Sequence, residues 1–421
     1  MKNIDENFNI KMNNINGALQ IISVNLVTSF AGLFIKRLNA SDYLVSLLNS
    51  LPALFSILGI LLSTPLILSC KNKKKVTSLS YFVTRSFYIL MAFVPILPEG
   101  LRAATFVLLY GAMNFPGSIA TFFWQSFFAD IFSPSKRSKV LSQRNSISTF
   151  TGTAVTLFVG ILLHKLSNTK QELIHYYQIV FIIAFIIGIF EVLSLYMHKD
   201  KIKGNFVEVK SEKEKLSIDF FKGMIKQKPY LIYIICIIVF HFSWQMGWPL
   251  FLTYEVDYLH TNEMWAGIIS TVNGVCMAIG YTFWRKFSDK KGSALTLTIS
   301  AFGSGLCPLF YSISTHIIHV AYFTGIIGFT FAGIQLLLIN SLYEVSPKEN
   351  RTSYIALYNL CINLTLIIAP FVGMYIYKLT NIKVALLITA GARFFSSLLF
   401  FLRRNYTLKY KNINASSYVK I

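Results

Sequence analysis

The sequence predicts an all-α polytopic membrane protein, with about twelve transmembrane helices arranged as two pseudo-symmetric six-helix bundles. Three observations predict it. The 421 residues are 54% hydrophobic and only 14% charged, with a mean hydropathy of +0.56, whereas a soluble domain carries about 25% charged residues. Apolar runs of about 20 residues, each enough to cross a ~30 Å hydrocarbon core as a helix, recur along nearly the whole length. A charged block also repeats half a chain apart: Asp130, Arg137 and Asn145 recur as Glu344, Arg351 and Asn359 at the same spacings of seven and eight residues. Two copies of one helical bundle in a single chain account for such a repeat.

Taken in order, the expected spans of the first half are 17–35, 43–69, 76–97, 102–129, 146–166 and 176–197. Those of the second are 229–254, 264–285, 293–313, 317–342, 353–377 and 381–402. The implied organisation is a bundle over 1–197, a central loop over 198–228 and a second bundle over 229–421. Within the loop, the Lys/Glu-rich stretch from Lys210 to Lys215 precedes 216–226. That segment reads as an amphipathic helix on the membrane surface or as a flexible linker. The N-terminus, Met1 to Glu6, lacks a short apolar core with a small-residue cleavage site. It reads as a cytoplasmic lead-in to the first span.

The formal charge of +21 raises nucleic acid as a partner, and its distribution argues against it. With both termini inside, cytoplasmic segments collect roughly 30 Lys and Arg and the outer loops roughly 7, the bias that sets topology in membrane proteins. Lys136, Arg137, Lys139 and Arg144 fall on the inner side in this reading. Membrane lipid is then the partner of these charges, in a bacterial plasma membrane suggested by the heavy use of Lys, Asn and Ile.

Cys70, Cys236, Cys276, Cys307 and Cys361 stand singly, so neither a disulfide framework nor a metal site is indicated. No cofactor is implied. The seven histidines are dispersed, no HExxH motif occurs, and no convergent nucleophile and base stand out. An enzyme is not expected.

Several pieces carry a family resemblance. Asp289-Lys290-Lys291-Gly292, after the eighth span, is similar to an Asp-Arg-x-Gly loop, although Arg285 stands where a Gly is usual. The matching first-half loop, Ser69 to Lys75, keeps only its positive charge. Ala369-Pro370-Phe371-Val372-Gly373 is similar to a Gly/Pro helix. The fifth span has Gly152 and Gly160 but no Pro, unlike the drug/proton antiporter branch. With twelve spans, a basic central loop and the paired charged blocks, the chain resembles the major facilitator superfamily over nearly its whole length. The resemblance implies a secondary transporter in which two six-helix halves alternate access to a central site. A transporter-like fold serving as a receptor or assembly partner is the alternative.

That resemblance lines the cavity with the first, fourth, seventh and tenth helices. Polar groups facing lipid are costly, so Gln20, Asn25, Gln125, His241, Gln245, Trp248, Gln335, Asn359 and Asn363 are the candidate contacts for a small organic solute. Interhelical hydrogen bonding is the competing role for each. Asp130, Arg137, Asp289, Glu344 and Arg351 are candidates for a charge latch, pairing in one conformation and separating in the other. Arg85 and Arg393 fall inside apolar spans. Each is a candidate contact for an anionic substrate group, with pairing to a carboxylate such as Glu191 as the other reading. Carboxylates deep in the spans are scarce, so proton coupling stays open, with Glu191 and His241 the groups available for it.

Overall fold

The computed structural model describes the backbone of residues 2–70, 72–199, 227–346 and 351–418. Among these, the first half runs α1 (Lys2–Thr28), α2 (Ala31–Arg37), α3 (Asp42–Ser69), α4 (Lys73–Phe93), α5 (Glu99–Ala112), α6 (Asn114–Ile131), α7 (Pro134–Leu166) and α8 (Lys170–Tyr196). The second runs α9 (Lys228–Thr253), α10 (Glu263–Lys291), α11 (Ser293–Ile313), α12 (Ile317–Val345), α13 (Arg351–Leu379) and α14 (Ile382–Tyr418). Twelve helical stretches among the described residues are long and apolar enough to cross a membrane. In two of them a short break joins two helices, α1 with α2 and α5 with α6. The expected surface helix over 216–226 lies outside the described residues.

The helices that carry the first and fifth spans extend well before residues 17 and 146: α1 is helical from Lys2 and α7 from Pro134. The cause is visible in what those turns contain. Asn9, Asn13, Asn16 and Arg144 are all 5% exposed or less. They depress the local hydropathy, yet they are buried, Arg144 against Asn13 and Asn16, and Asn9 against the backbone of Lys199. Arg144 is thus a helical residue of α7, and it is buried.

Local sequence explains several helix ends. The Asn72 side chain accepts from Lys75 N–H at 2.9 Å and starts α4; Thr169 accepts from Glu172 N–H at 3.2 Å and starts α8. Glu172 in turn accepts from Asn168 N–H at 2.8 Å, so the two side chains satisfy donors that a helix start leaves free. Gly292 links α10 to α11 with φ at 86°, a left-handed conformation that only glycine adopts at no cost.

The chain divides into two compact units, Met1–Val207 with His260–Thr271, and Glu208–Leu259 with Val272–Ile421. In the first unit α1 packs on α7 and α8, α4 on α6 and α8, and α3 on α5 and α6. The opening turns of α10 belong to this unit. Glu263, 2% exposed, accepts from Arg37 Nε and from the Tyr177 hydroxyl, both at 3.1 Å. A Cβ on Gly160 would stand 2.4 Å from the Glu263 carbonyl oxygen, so glycine lets α7 approach that backbone. In the second unit α11 packs on α12 and α14, and α9 on α13 and α14. Its core gathers Tyr230, Tyr233, Phe240, Leu337, Tyr354 and Phe400.

Just beyond α8 the first unit is closed by hydrogen bonds. Asn9 Nδ2 donates to Lys199 O at 3.0 Å, Lys199 N–H donates back to Asn9 Oδ1 at 2.9 Å, and Lys74 donates to His198 O at 3.0 Å. His198 is 4% exposed, with Nδ1 against the Ser194 and Leu195 carbonyls. Burial, and then the nearby Arg144 and Lys74 charges, push its pKa below the ordinary 6.5. The folded state thus holds a neutral imidazole, while the unfolded chain takes up a proton as pH falls through about 6.5. Stability should be flat above that pH and decline below it. In thermal unfolding from about pH 8 down to about pH 5.5, His198→Gln should remove part of that decline. An identical pH profile in the variant would refute this assignment.

Candidate functional site

One stripe of α1 organises the first unit. Asn9, Asn13, Asn16, Gln20 and Ser23 follow one another at helical spacing, so they share a face. Asn16 Nδ2 donates to Glu191 O at 2.9 Å, and Ser23 Oγ donates to Ala184 O at 2.8 Å, both on α8. On the α7 side, Arg144 Nη1 donates to Asn13 Oδ1 at 3.1 Å and Asn16 Oδ1 at 2.8 Å, and Nη2 donates to Gln20 Oε1 at 2.6 Å. Gln20 Nε2 donates to the Tyr81 hydroxyl at 3.2 Å. The guanidinium carbon of Arg144 lies 4.6 Å from the centre of the Trp124 ring, within cation–π range.

Arg85 is compensated differently. Its Nε and Nη2 donate to the two Glu191 oxygens at 2.7 and 3.1 Å, and Nη1 donates to the Tyr88 hydroxyl at 2.7 Å. Both charged side chains are at most 4% exposed. This is a two-pronged pair, the geometry in which an arginine–carboxylate contact is strongest. Glu191 is therefore engaged with Arg85, and Arg85 has a carboxylate partner within the protein.

In the second unit, Arg393 is 1% exposed, and among the described residues no carboxylate or side-chain amide accepts from it. Its donors go to main-chain carbonyls, Ser304 at 3.0 Å, Trp244 at 2.8 Å and Ser243 at 3.4 Å, and it also meets the Cys307 side chain. Its guanidinium stacks 4.6 Å from the Trp244 ring, whose other neighbour is Phe331, with ring centres 5.0 Å apart and planes at 12°. Each of the three arginines runs over a glycine. A Cβ on Gly188, Gly17 or Gly247 would stand 2.7, 2.6 or 2.8 Å from Arg85, Arg144 or Arg393 respectively.

The candidate solute contacts divide by environment. Gln125, Trp248, Gln335 and Asn359 are exposed in helices that are otherwise apolar. His241 is half-buried, its ring 6.4 Å from that of Tyr358, and its Nε2 has no hydrogen-bond partner. Gln20 and Asn25 hold helices together instead. Asn25 Nδ2 donates to Thr156 Oγ1 at 3.2 Å and to Gly152 O at 3.3 Å on α7. Gln245 is buried and donates to Ile362 O at 3.3 Å on α13, leaving its Oε1 without a partner. Asn363 donates to Asn359 O, one turn back in its own helix. Among the described residues, no cluster of His, Cys, Asp and Glu is arranged to hold a metal.

In this conformation the members of the charge blocks that are described have the following partners. Asp130 accepts from Lys73 at 2.8 Å. Arg137 donates to the Ala129 and Phe132 carbonyls at 2.6 and 3.0 Å. The reason is local: the turn between α6 and α7 brings Arg137 to carbonyls that the end of α6 leaves without helical donors. In the second block Glu344 accepts from the Ser293 hydroxyl, and Asp289 is exposed. The Arg351 side chain lies outside the described residues.

With this geometry in place, comparison with known proteins is decisive at the level of family. The sequence model of the Major Facilitator Superfamily matches twice, over residues 14–254 and 233–417. The chain belongs to the major facilitator superfamily. Its fold is similar to that of the nucleoside transporter NupG, with a TM-score of 0.71 at 13% identity, covering 94% of this chain and 98% of that one. It is also similar to a bacterial homolog of the human lysosomal transporter Spinster, with a TM-score of 0.70 at 13% identity, covering 96% and 98%. A third likeness is to a mutant of the peptide transporter POT, with a TM-score of 0.69 at 11% identity and 94% of each chain covered. No curated protein matches the sequence. At these identities the likeness is one of fold, and it makes this superfamily member a membrane transporter of unassigned subfamily.

The Arg85–Glu191 pair yields a test. Glu191→Ala leaves a buried guanidinium without its counter-charge and should cost about 3–5 kcal/mol, whereas replacing both residues by Met should recover most of the loss. Thermal unfolding of purified single and double variants measures both. A single variant as stable as the parent would show that the pair is not structural.

Proposed function

We propose that this chain is a secondary active transporter that moves a small organic solute by alternating access of its two six-helix halves. The observation that carries the reading is the set of polar and aromatic side chains left exposed in apolar helices: Gln125 on α6, Trp248 on α9, Gln335 on α12 and Asn359 on α13. Exposed amides are costly against lipid and favourable along a watered path. Trp244 and Phe331, stacked beside Gln335, offer a flat apolar wall, and His241 an unused ring nitrogen. A flat organic solute with a few hydrogen-bonding groups suits such a surface. That a nucleoside transporter and a peptide transporter share this fold supports an organic solute. The membrane is a bacterial plasma membrane with both termini cytoplasmic, in keeping with the bias of Lys and Arg. A coupling proton, if used, falls to His241, since Glu191 is held by Arg85.

The test combines binding with accessibility. A solute panel is screened by thermal stability at about pH 5.5 and about pH 8. One chemical class should raise the unfolding midpoint. The same solute should change maleimide labelling of Gln335→Cys severalfold, in a background lacking the five native cysteines, and should undergo counterflow in proteoliposomes. A solute that binds but alters neither labelling nor counterflow would overturn transport in favour of a receptor.

A further inference from the structure

Four arginines, Arg85, Arg144, Arg393 and Arg403, are buried in the candidate spans, and the first three differ in a way that points to a ligand. Arg85 is neutralised by a carboxylate. Arg393 is fixed by main-chain carbonyls, which cannot turn away. Among the described residues, the side chains that hydrogen-bond Arg144 are the amides of Asn13, Asn16 and Gln20, with one main-chain carbonyl, that of Asn13. Neutral amides solvate a buried charge without cancelling it, and the Glu191 carboxylate acts on Arg144 without a direct hydrogen bond, its oxygens being held by Arg85. We propose that Arg144 is the core of an oxyanion subsite in the first unit, one that takes the carboxylate or phosphate group of a ligand.

Three further features fit an anion and not a purely structural pin. Asn13 is 1% exposed and its Nδ2 donor has no partner, although its Oδ1 holds Arg144. A buried amide donor without an acceptor is costly, and an anion beside the guanidinium supplies the acceptor. Next, a groove of about 710 Å³ opens between α1 and α7. Six of its nine lining residues are polar: Asn7, Lys11, Asn14, Ser142, Gln143 and Ser146. Arg144 and Asn13 each directly adjoin a lining residue in sequence, Gln143 and Asn14, and the exposed Lys11 places a second cation in the groove wall. The last feature is the chemistry of the cage. A side-chain amide accepts from a guanidinium through its oxygen and donates to an anion through its nitrogen. Asn13 is the amide that meets both needs, since its Oδ1 holds Arg144 while its Nδ2 is left to donate, whereas Asn16 Nδ2 and Gln20 Nε2 already donate to Glu191 O, Ser194 Oγ and the Tyr81 hydroxyl. Trp124 stacks on the guanidinium face.

The subsite lies in the transporter proposed above and rests on that reading for its purpose, but it is tested by binding alone. Thermal unfolding of the purified full chain in neutral detergent is followed against succinate and against inorganic phosphate, with sodium chloride matching ionic strength. A parallel arm uses phosphatidylcholine nanodiscs with and without phosphatidylglycerol, to separate a soluble anion from a lipid headgroup. The wild type should show a saturable rise in midpoint in one arm. Arg144→Gln should abolish it. Lys11→Gln, an exposed replacement that should leave folding intact, should raise the half-saturating concentration roughly three- to tenfold, as expected for loss of one charge-assisted contact. Lys165→Gln, at the other end of α7, should respond like the wild type. No rise with succinate, phosphate or phosphatidylglycerol would overturn the subsite. So would a response equal to the wild type's in Arg144→Gln or, should that variant fail to fold, in Lys11→Gln. Counterflow of labelled succinate or phosphate is measured separately: binding without counterflow keeps the subsite and removes transport, and counterflow without Arg144-dependent binding does the reverse.

Discussion

An arginine cannot enter the apolar interior of a helical bundle unless something replaces its water, and Arg85, Arg144 and Arg393 are three of the four that are buried in the spans here. Each solution ties specific helices together. The Arg85–Glu191 pair links α4 to α8, the amide cage of Arg144 links α1 to α7, and the carbonyl clamp on Arg393 links α14 to α9 and α11. Each also needs a glycine beside it, because a β-carbon at Gly17, Gly188 or Gly247 would occupy the space of the arginine side chain. Satisfying a guanidinium inside a bundle therefore constrains helix identity, register and spacing together, and it fixes contacts that hydrophobic packing leaves loosely specified.

The same three groups divide the molecule by task. The ion pair is neutral overall and fully desolvated, as suits a strut. The clamp on Arg393 holds Trp244, whose ring also stacks on Phe331. The cage on Arg144 is built from side-chain amides, beside a groove that Lys11 lines. One fold hosts transporters of dissimilar cargo at 11–13% identity, and chemistry of this kind, not the bundle, is where members of such a fold differ.

Much of this was readable from the chain. Twelve apolar runs and the repeated block starting at Asp130 and Glu344 specify the bundle count and its two-fold construction, since length and hydropathy are sums over local sequence. Gln125, Trp248, Gln335 and Asn359 were identifiable as polar or amphipathic residues in apolar runs, and they are exposed. The buried partners of Arg144 were not legible because its neighbours Ser142, Gln143, Asn145 and Ser146 are polar, which makes the turn look like a loop. The signal that would have found them is the stripe Asn9, Asn13, Asn16 and Gln20: amides at helical spacing on a membrane helix require a polar partner on another helix.

The sequence alone determined that this protein is a helical membrane bundle of two repeated halves, because hydrophobicity and its period are local properties that the bilayer reads one segment at a time. Which arginine is paired, which is clamped and which is caged was decided only by the tertiary structure. Glu191 meets Arg85 across 106 residues and Asn16 meets Arg144 across 128, and no local pattern encodes a contact that depends on which helices end up adjacent. Asp130 shows the same limit: it turns to Lys73, 57 residues away, while Arg137 is taken by carbonyls at the end of the helix before it. Charge and spacing name the groups that must find partners, and packing chooses among them.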